Sequence, residues 1–229
     1  MRLRLLFSCC LPLLLGLGPM TAAAQENDNP LLPRLQAAAP DANPEVLALA
    51  LGAMHCAAGS GMPVAQRLAV IDYSLPSTTP RLWVFDLGRS SLLFHELVAH
   101  GRNSGDNMTT HFSNAPGSLA SSIGLFRTGD TYNGSNGYSL RMQGLETGVN
   151  DKAMERAIVM HGAPYVQEGM AEKFGRLGRS WGCPALRMGI ARQVIDSLKG
   201  GQFIFSYYPD QKWLASSRYL NCPRDTASR

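Results

Sequence analysis

A mainly antiparallel β domain with a few helices is the fold this sequence predicts, and three patterns predict it. Short runs rich in β-branched and aromatic residues recur between residues 68 and 208. Clusters of Gly, Pro, Asn and Ser punctuate them, and only two stretches keep apolar residues at helical spacing. The elements follow in chain order. Arg2 and Arg4, the apolar run Leu5 to Leu17 and the small residues Ala22-Ala23-Ala24 have the layout of a secretory signal peptide, residues 1–24. Residues 25–42 are polar and Pro-containing and read as a linker. Asn43-Pro44-Glu45 supplies an N-cap, a first-turn proline and an acid suited to the positive end of a helix. Leu47, Ala50, Leu51 and Met54 continue that helix and Gly59 stops it, so residues 43–67 form an N-terminal helical extension to a domain over residues 68–229. Strands follow at Leu68–Tyr73, Arg81–Leu87, Ser91–Val98, Ile123–Arg127 and Tyr138–Leu145, with a hairpin turn at Gly134–Gly137. Asp151–Arg156 reads as a helical turn and Ala157–Met160 as a short strand. Met188–Leu198 is the second helix and Phe203–Tyr208 the last strand, and Trp213, Tyr219 and Leu220 are placed to dock on the core.

Composition narrows the function. Cleavage after Ala24 leaves 205 of 229 residues and lowers the formal charge from +4 to +2, with no dense Lys/Arg run. Neither nucleic acid nor an anionic membrane surface is an expected partner, and no later segment is long enough to span a bilayer. The mature chain is expected to be a monomer in the periplasm or another extracytoplasmic space. Cys9 and Cys10 leave with the signal, so Cys56, Cys183 and Cys222 remain. Thiols tend to pair in an oxidising compartment, and the economical arrangement joins Cys56 to Cys222 and keeps Cys183 free.

Two common hydrolase motifs lack their residues. His95 and His100 are five apart, which turns their rings roughly 140° around a helix, so they do not make a zinc-protease motif. No Ser-x-x-Lys stretch occurs. No compact ligand spacing calls for a metal, and no cofactor is expected. The segment Gly178-Arg179-Ser180-Trp181-Gly182-Cys183-Pro184-Ala185 places the free thiol in a rigid turn, with Gly182 allowing close approach of a substrate. His161, twenty-two residues upstream beside Gly162, is the candidate base. A cysteine and a histidine at that distance are also compatible with structural burial.

His161-Gly162 together with Ser180-Trp181-Gly182-Cys183 resembles the signature of the L,D-transpeptidase catalytic-domain (YkuD-type) family, a His followed at a distance by Ser/Thr-His-Gly-Cys. His100-Gly101-Arg102-Asn103-Ser104-Gly105, Phe112-Ser113-Asn114, Ser121-Ser122-Ile123-Gly124 and Gly137-Tyr138-Ser139-Leu140 resemble its murein subgroup. The likeness covers residues 68–208. It implies a β-sandwich or open barrel with a helix after the cysteine. It also implies acyl transfer between peptidoglycan stem peptides through a thioester on Cys183, with release of a terminal D-alanine. By the same resemblance His161 is the base, the Gly162 carbonyl orients it, the N–H groups of Gly182 and Cys183 form the oxyanion hole and Ser180 supports them. The family's histidine two before the cysteine is Trp181 here, expected to form an apolar wall, and its arginine two after is Ala185. Arg179 or Arg187 is the expected replacement cation, and His100 is expected on the groove floor, the plain alternative for His100 and His111 being a structural histidine. An L,D-carboxypeptidase or other thiol hydrolase, and a non-catalytic wall-binding module, are the competing functions.

Overall fold

A computed structural model describes residues 29–222; the expected signal peptide lies outside them. Two helices open the described chain, α1 (Leu31–Ala38) and α2 (Pro44–Gly59). Asn43 caps α2 by accepting from the Glu45 N–H at 2.9 Å, and Pro44 occupies the first turn. The segment 25–42 is therefore not wholly a linker. Leu35 of α1 is fully buried in the same core as Leu47, Ala50 and Leu51 of α2, and this apolar anchor is what orders it.

Among the described residues nine strands form one sheet: β1 (Arg67–Asp72), β2 (Leu82–Asp86), β3 (Ser91–Glu96), β4 (Val98–Ala99), β5 (Gly124–Gly134), β6 (Gly137–Gly144), β7 (Val159–Ala163), β8 (Ala185–Arg187) and β9 (Phe203–Tyr207). Their order is β3-β2-β1-β9-β5-β6-β7-β8-β4. The pairings are antiparallel except β1 with β9 and β7 with β8. The two edge strands, β3 and β4, are separated only by Leu97, so the sheet must curl until its edges nearly meet. The single expected strand over Ser91–Val98 is thus two strands. The fold is mainly β with a few helices, as the sequence predicts.

Alternation along the strands builds a core on each face. Leu68, Val70, Trp83, Phe85, Leu125, Phe203 and Phe205 pack toward α1 and α2. Ala69, Ile71, Leu82, Val84, Phe126 and Ile204 point the other way. There they meet Ala191, Val194, Ile195 and Leu198 on the apolar stripe of α4 (Met188–Leu198). Burying a side chain of this size is worth about 1.5–3 kcal/mol, so both helical layers belong to the domain itself.

Two short helices escaped the sequence reading: α3 (Glu168–Phe174) and α5 (Gln211–Ser216). Asp210 caps α5 by accepting from the Trp213 N–H at 2.8 Å. Buried Glu146 accepts from Trp213 Nε1 at 3.0 Å, Ser217 Oγ at 2.5 Å and the Leu125 N–H at 2.7 Å, tying the tail to β5. Cys56 and Cys222 are joined by a disulfide, their Cα atoms 6.0 Å apart. Among the described residues no helix is long and apolar enough to cross a membrane.

Candidate active site

The site lies where parallel strands β7 and β8 meet the turn between α3 and β8. Register sets its contents, because His161 pairs with Ser139 on one side and Ala185 on the other. A cleft of about 420 Å³ is lined by Ser135, Asn136, His161, Tyr165, Arg179, Ser180, Trp181 and Cys183. The structure therefore brings together the thiol, the imidazole and three further residues that the sequence singled out: Arg179, Ser180 and Trp181.

Serine hydroxyls lock the nucleophile turn. Ser180 Oγ donates to the Cys183 carbonyl at 2.6 Å and accepts from the Gly182 N–H at 3.1 Å. Ser121 Oγ donates to the Gly182 carbonyl at 3.1 Å and accepts from the Gly101 N–H at 3.0 Å. Gly182 has φ +124°, and a Cβ there would sit 2.8 Å from the Ala120 carbonyl oxygen and 2.9 Å from Ile158 Cδ1. Two sequence expectations for Gly182 change accordingly. The close approach it permits is to its own chain, not to a substrate. Its N–H is spent on Ser180, so it is not presented as an oxyanion donor. Among the described residues no acceptor engages the Cys183 N–H, which remains available.

Cys183 is the free cysteine of the described chain and is buried, with Sγ 3.4 Å from the Val159 N–H and 3.7 Å from the Ala157 carbonyl oxygen. Ala157 holds φ +52°, a strained conformation for a residue with a Cβ, and this geometry aims its carbonyl at the sulfur. Burial pushes the Cys183 thiol up, against the Val159 N–H and the nearby charge of Arg156, which pull it down. Burial likewise pushes the His161 imidazole down, countered by its bond to Gly162. Burial thus disfavours the charged form of each group. His161 Nδ1 lies 2.9 Å from the Gly162 carbonyl oxygen, which can only accept. The hydrogen therefore sits on Nδ1, and Nε2 keeps its lone pair.

Of the expected substrate-binding residues, Trp181 is 73% exposed at the cleft. Arg179 also lines the cleft, while its Nη1 donates to Asp106 at 2.7 Å and to the Gly105 carbonyl at 3.0 Å. Arg187 is not brought to the cleft. Its guanidinium makes a two-pronged bond to Glu96, 2.8 Å on each prong, because strand register carries it toward the β3 edge.

His100 is also not on the groove floor: it is 1% exposed and bonded to buried Arg81. Arg81 Nη2 donates to His100 Nδ1 at 2.8 Å, so the ring hydrogen is on Nε2 and faces the Gly105 carbonyl at 3.3 Å. The His100 carbonyl accepts from the Ser180 N–H at 2.9 Å, so the pair supports the nucleophile turn from behind. Burial, then the Arg81 charge, push the His100 imidazole from 6.5 down to about 4. A histidine depressed this way is neutral when folded but takes a proton when unfolded. Its contribution is complete above pH 6.5 and drains away as pH falls toward 4, amounting to about 3 kcal/mol. Urea denaturation at pH 7.5 and pH 4 should show that loss, and His100→Asn should flatten the dependence across this window.

Three residues were missed. Tyr165 lines the cleft, its phenol pushed up to about 12 by burial, so it stays an O–H donor. Ser121 lay within a quoted motif but carried no assigned role. Arg156 sits beneath Gly182, where a Cβ would lie 3.3 Å from its Nη2. Its only sequence signal was a cation just ahead of the strand that carries His161.

A family model described as L,D-transpeptidase catalytic domain matches residues 38–207. A search of curated proteins finds no match. Among solved structures, the chain is similar to an L,D-transpeptidase from Mycobacterium smegmatis at 16% identity and TM-score 0.38, covering 63% of this chain and 59% of that one. It is similar to L,D-transpeptidase 1 of Mycobacterium tuberculosis at 16% identity and TM-score 0.34, with 62% of each chain covered. A third likeness is to an L,D-transpeptidase from Stackebrandtia nassauensis, at 14% identity and TM-score 0.39 over 77% of this chain and 76% of that one. The chain spans about three-fifths of the length of the first two.

Proposed function

The chain belongs to the L,D-transpeptidase catalytic-domain family, and from that premise we propose that it is an exported cysteine acyltransferase of peptidoglycan stem peptides. Cys183 is the nucleophile and His161 its base. The observation that carries this reading is one cleft holding a free thiol and an imidazole whose tautomer leaves Nε2 able to take a proton. Export rests on the composition of residues 1–24.

His161 Nε2 accepts the thiol proton as Sγ attacks the carbonyl of the donor's L-centre. The developing oxyanion meets the Cys183 N–H, with the Tyr165 hydroxyl as a second donor in the cleft; one such donor contributes about 3–4 kcal/mol. The imidazolium returns its proton to the departing D-alanine amine, leaving a thioester on Cys183. An acceptor amine then gives its proton to His161, attacks the thioester and releases the thiol.

Protein recovered from the cell envelope should begin near Gln25. Incubated with tetrapeptide muropeptides, it should release D-alanine and yield joined stems of matching mass. A tripeptide with no joined product would make it an L,D-carboxypeptidase. Retention of every D-alanine would refute the reading.

A further inference from the structure

The Arg156 guanidinium is held entirely by neutral oxygen. Nη1 donates to the Ser113 carbonyl and Ser122 Oγ, each at 2.6 Å. Nη2 donates to the Ala120 carbonyl at 2.5 Å and to Ser118 Oγ at 3.1 Å. Among the described residues no carboxylate lies within ion-pair distance of it. Arg179, which lines the cleft, has Asp106 as its acid. A half-buried arginine stays charged at any working pH, so its field is not cancelled locally.

The location gives that field a target. The Ala120 oxygen that Arg156 grips is the same atom against which Gly182 rests, since a Cβ on Gly182 would meet it at 2.8 Å. Arg156 also directly precedes Ala157, whose carbonyl faces the Cys183 sulfur. One side chain therefore braces the nucleophile turn and sets an unpaired positive charge next to it.

We propose that Arg156 is a positioning residue for Cys183, fixing the 113–122 segment beneath the turn and supplying the cation that favours negative charge on the sulfur. The proposal rests on Cys183 being the nucleophile. The electrostatics agree in direction: the Arg156 charge pulls the thiol down against burial, and charge on Cys183 raises Arg156 in turn. With both groups at least partly buried, such a pair is worth more than an exposed one, because less water screens it. The same field acts on the anionic tetrahedral intermediate, which forms one bond from the sulfur.

The test is the alkylation rate of Cys183 by iodoacetamide at pH 8 in the folded full-length protein, followed by mass, with a thermal melt for each variant. Arg156→Gln keeps an amide donor but removes the charge. Its rate should fall about tenfold, with the pH midpoint of reaction rising by about one unit. Arg156→Lys keeps the charge and loses the fork, so its rate should stay within about threefold of wild type while its melting temperature drops. A wild-type rate in Arg156→Gln overturns the proposal, as does a fall in Arg156→Lys as deep as that in Arg156→Gln. If Arg156→Gln gives no cooperative melt, Arg156→Lys decides alone: a preserved rate supports the proposal and a tenfold fall overturns it. These rates need no peptidoglycan, so failure of transpeptidation in the wild type would overturn the functional reading while leaving this outcome legible.

Discussion

Cys183→Ala should lose turnover of tetrapeptide donors by at least about a thousandfold, because the covalent step has no other sulfur to pass through. The wild type, mixed with donor alone, should carry an acyl adduct on Cys183 in intact-protein mass spectrometry. The alanine variant should carry none. Its fold should survive, since the change removes a single atom from a site whose turn is held by Ser180 and Ser121 rather than by the thiol. Cys183→Ser should be almost as inactive, since an alkoxide is far harder to form than a thiolate. Near-normal turnover by Cys183→Ala would end the assignment of the nucleophile.

His161→Ala should cost about 10²- to 10⁴-fold in kcat/KM, the usual contribution of a placed general base. The pH profile gives an independent reading. Burial holds the His161 imidazole below its ordinary 6.5, so the neutral, proton-accepting form persists into mild acid. Activity should therefore fall on an acid limb lying below pH 6.5, and His161→Ala should abolish that limb. The apparent values belong to the pair, because thiol and imidazole titrate together. A His161→Ala enzyme that keeps the wild-type acid limb would show that another group is the base.

Burial penalises charge on both the Cys183 thiol and the His161 imidazole. No spacing along the chain reports that. Local signals served the fold well where periodicity and caps decide it: the expected helix at Met188–Leu198 has the bounds of α4, and Asn43-Pro44 marks the start of α2. They failed where tertiary packing decides. Leu35 orders α1 within an otherwise polar stretch by entering a core that is completed by Phe203 and Phe205, far along the chain. At the cleft, Cys183, His161 and Ser180 were legible as candidates because each stands in a short glycine-containing motif, His161-Gly162 or Ser180-Trp181-Gly182-Cys183. Arg156 and Ser121 were not. Their contacts to Ala120 and Gly182 cross long stretches of chain, and neither residue type is unusual where it stands. The same reason explains the misplacement of His100 and Arg187: their partners, Arg81 and Glu96, are brought to them by the curl of the sheet.

The position of β1 carries a consequence for how the molecule comes into being. It lies between β2, its neighbour in sequence, and β9, the last strand among the described residues. A chain emerging from its N-terminus can zip β1 to β2 and β2 to β3 at once, yet it must keep the other side of β1 unpaired until residues 203–207 arrive. β5 waits for the same strand. Half-made chains therefore present two raw sheet edges, which favour self-association over progress. Assembly is gated by β9, and the sheet that aligns His161 with Cys183 cannot close before that strand arrives.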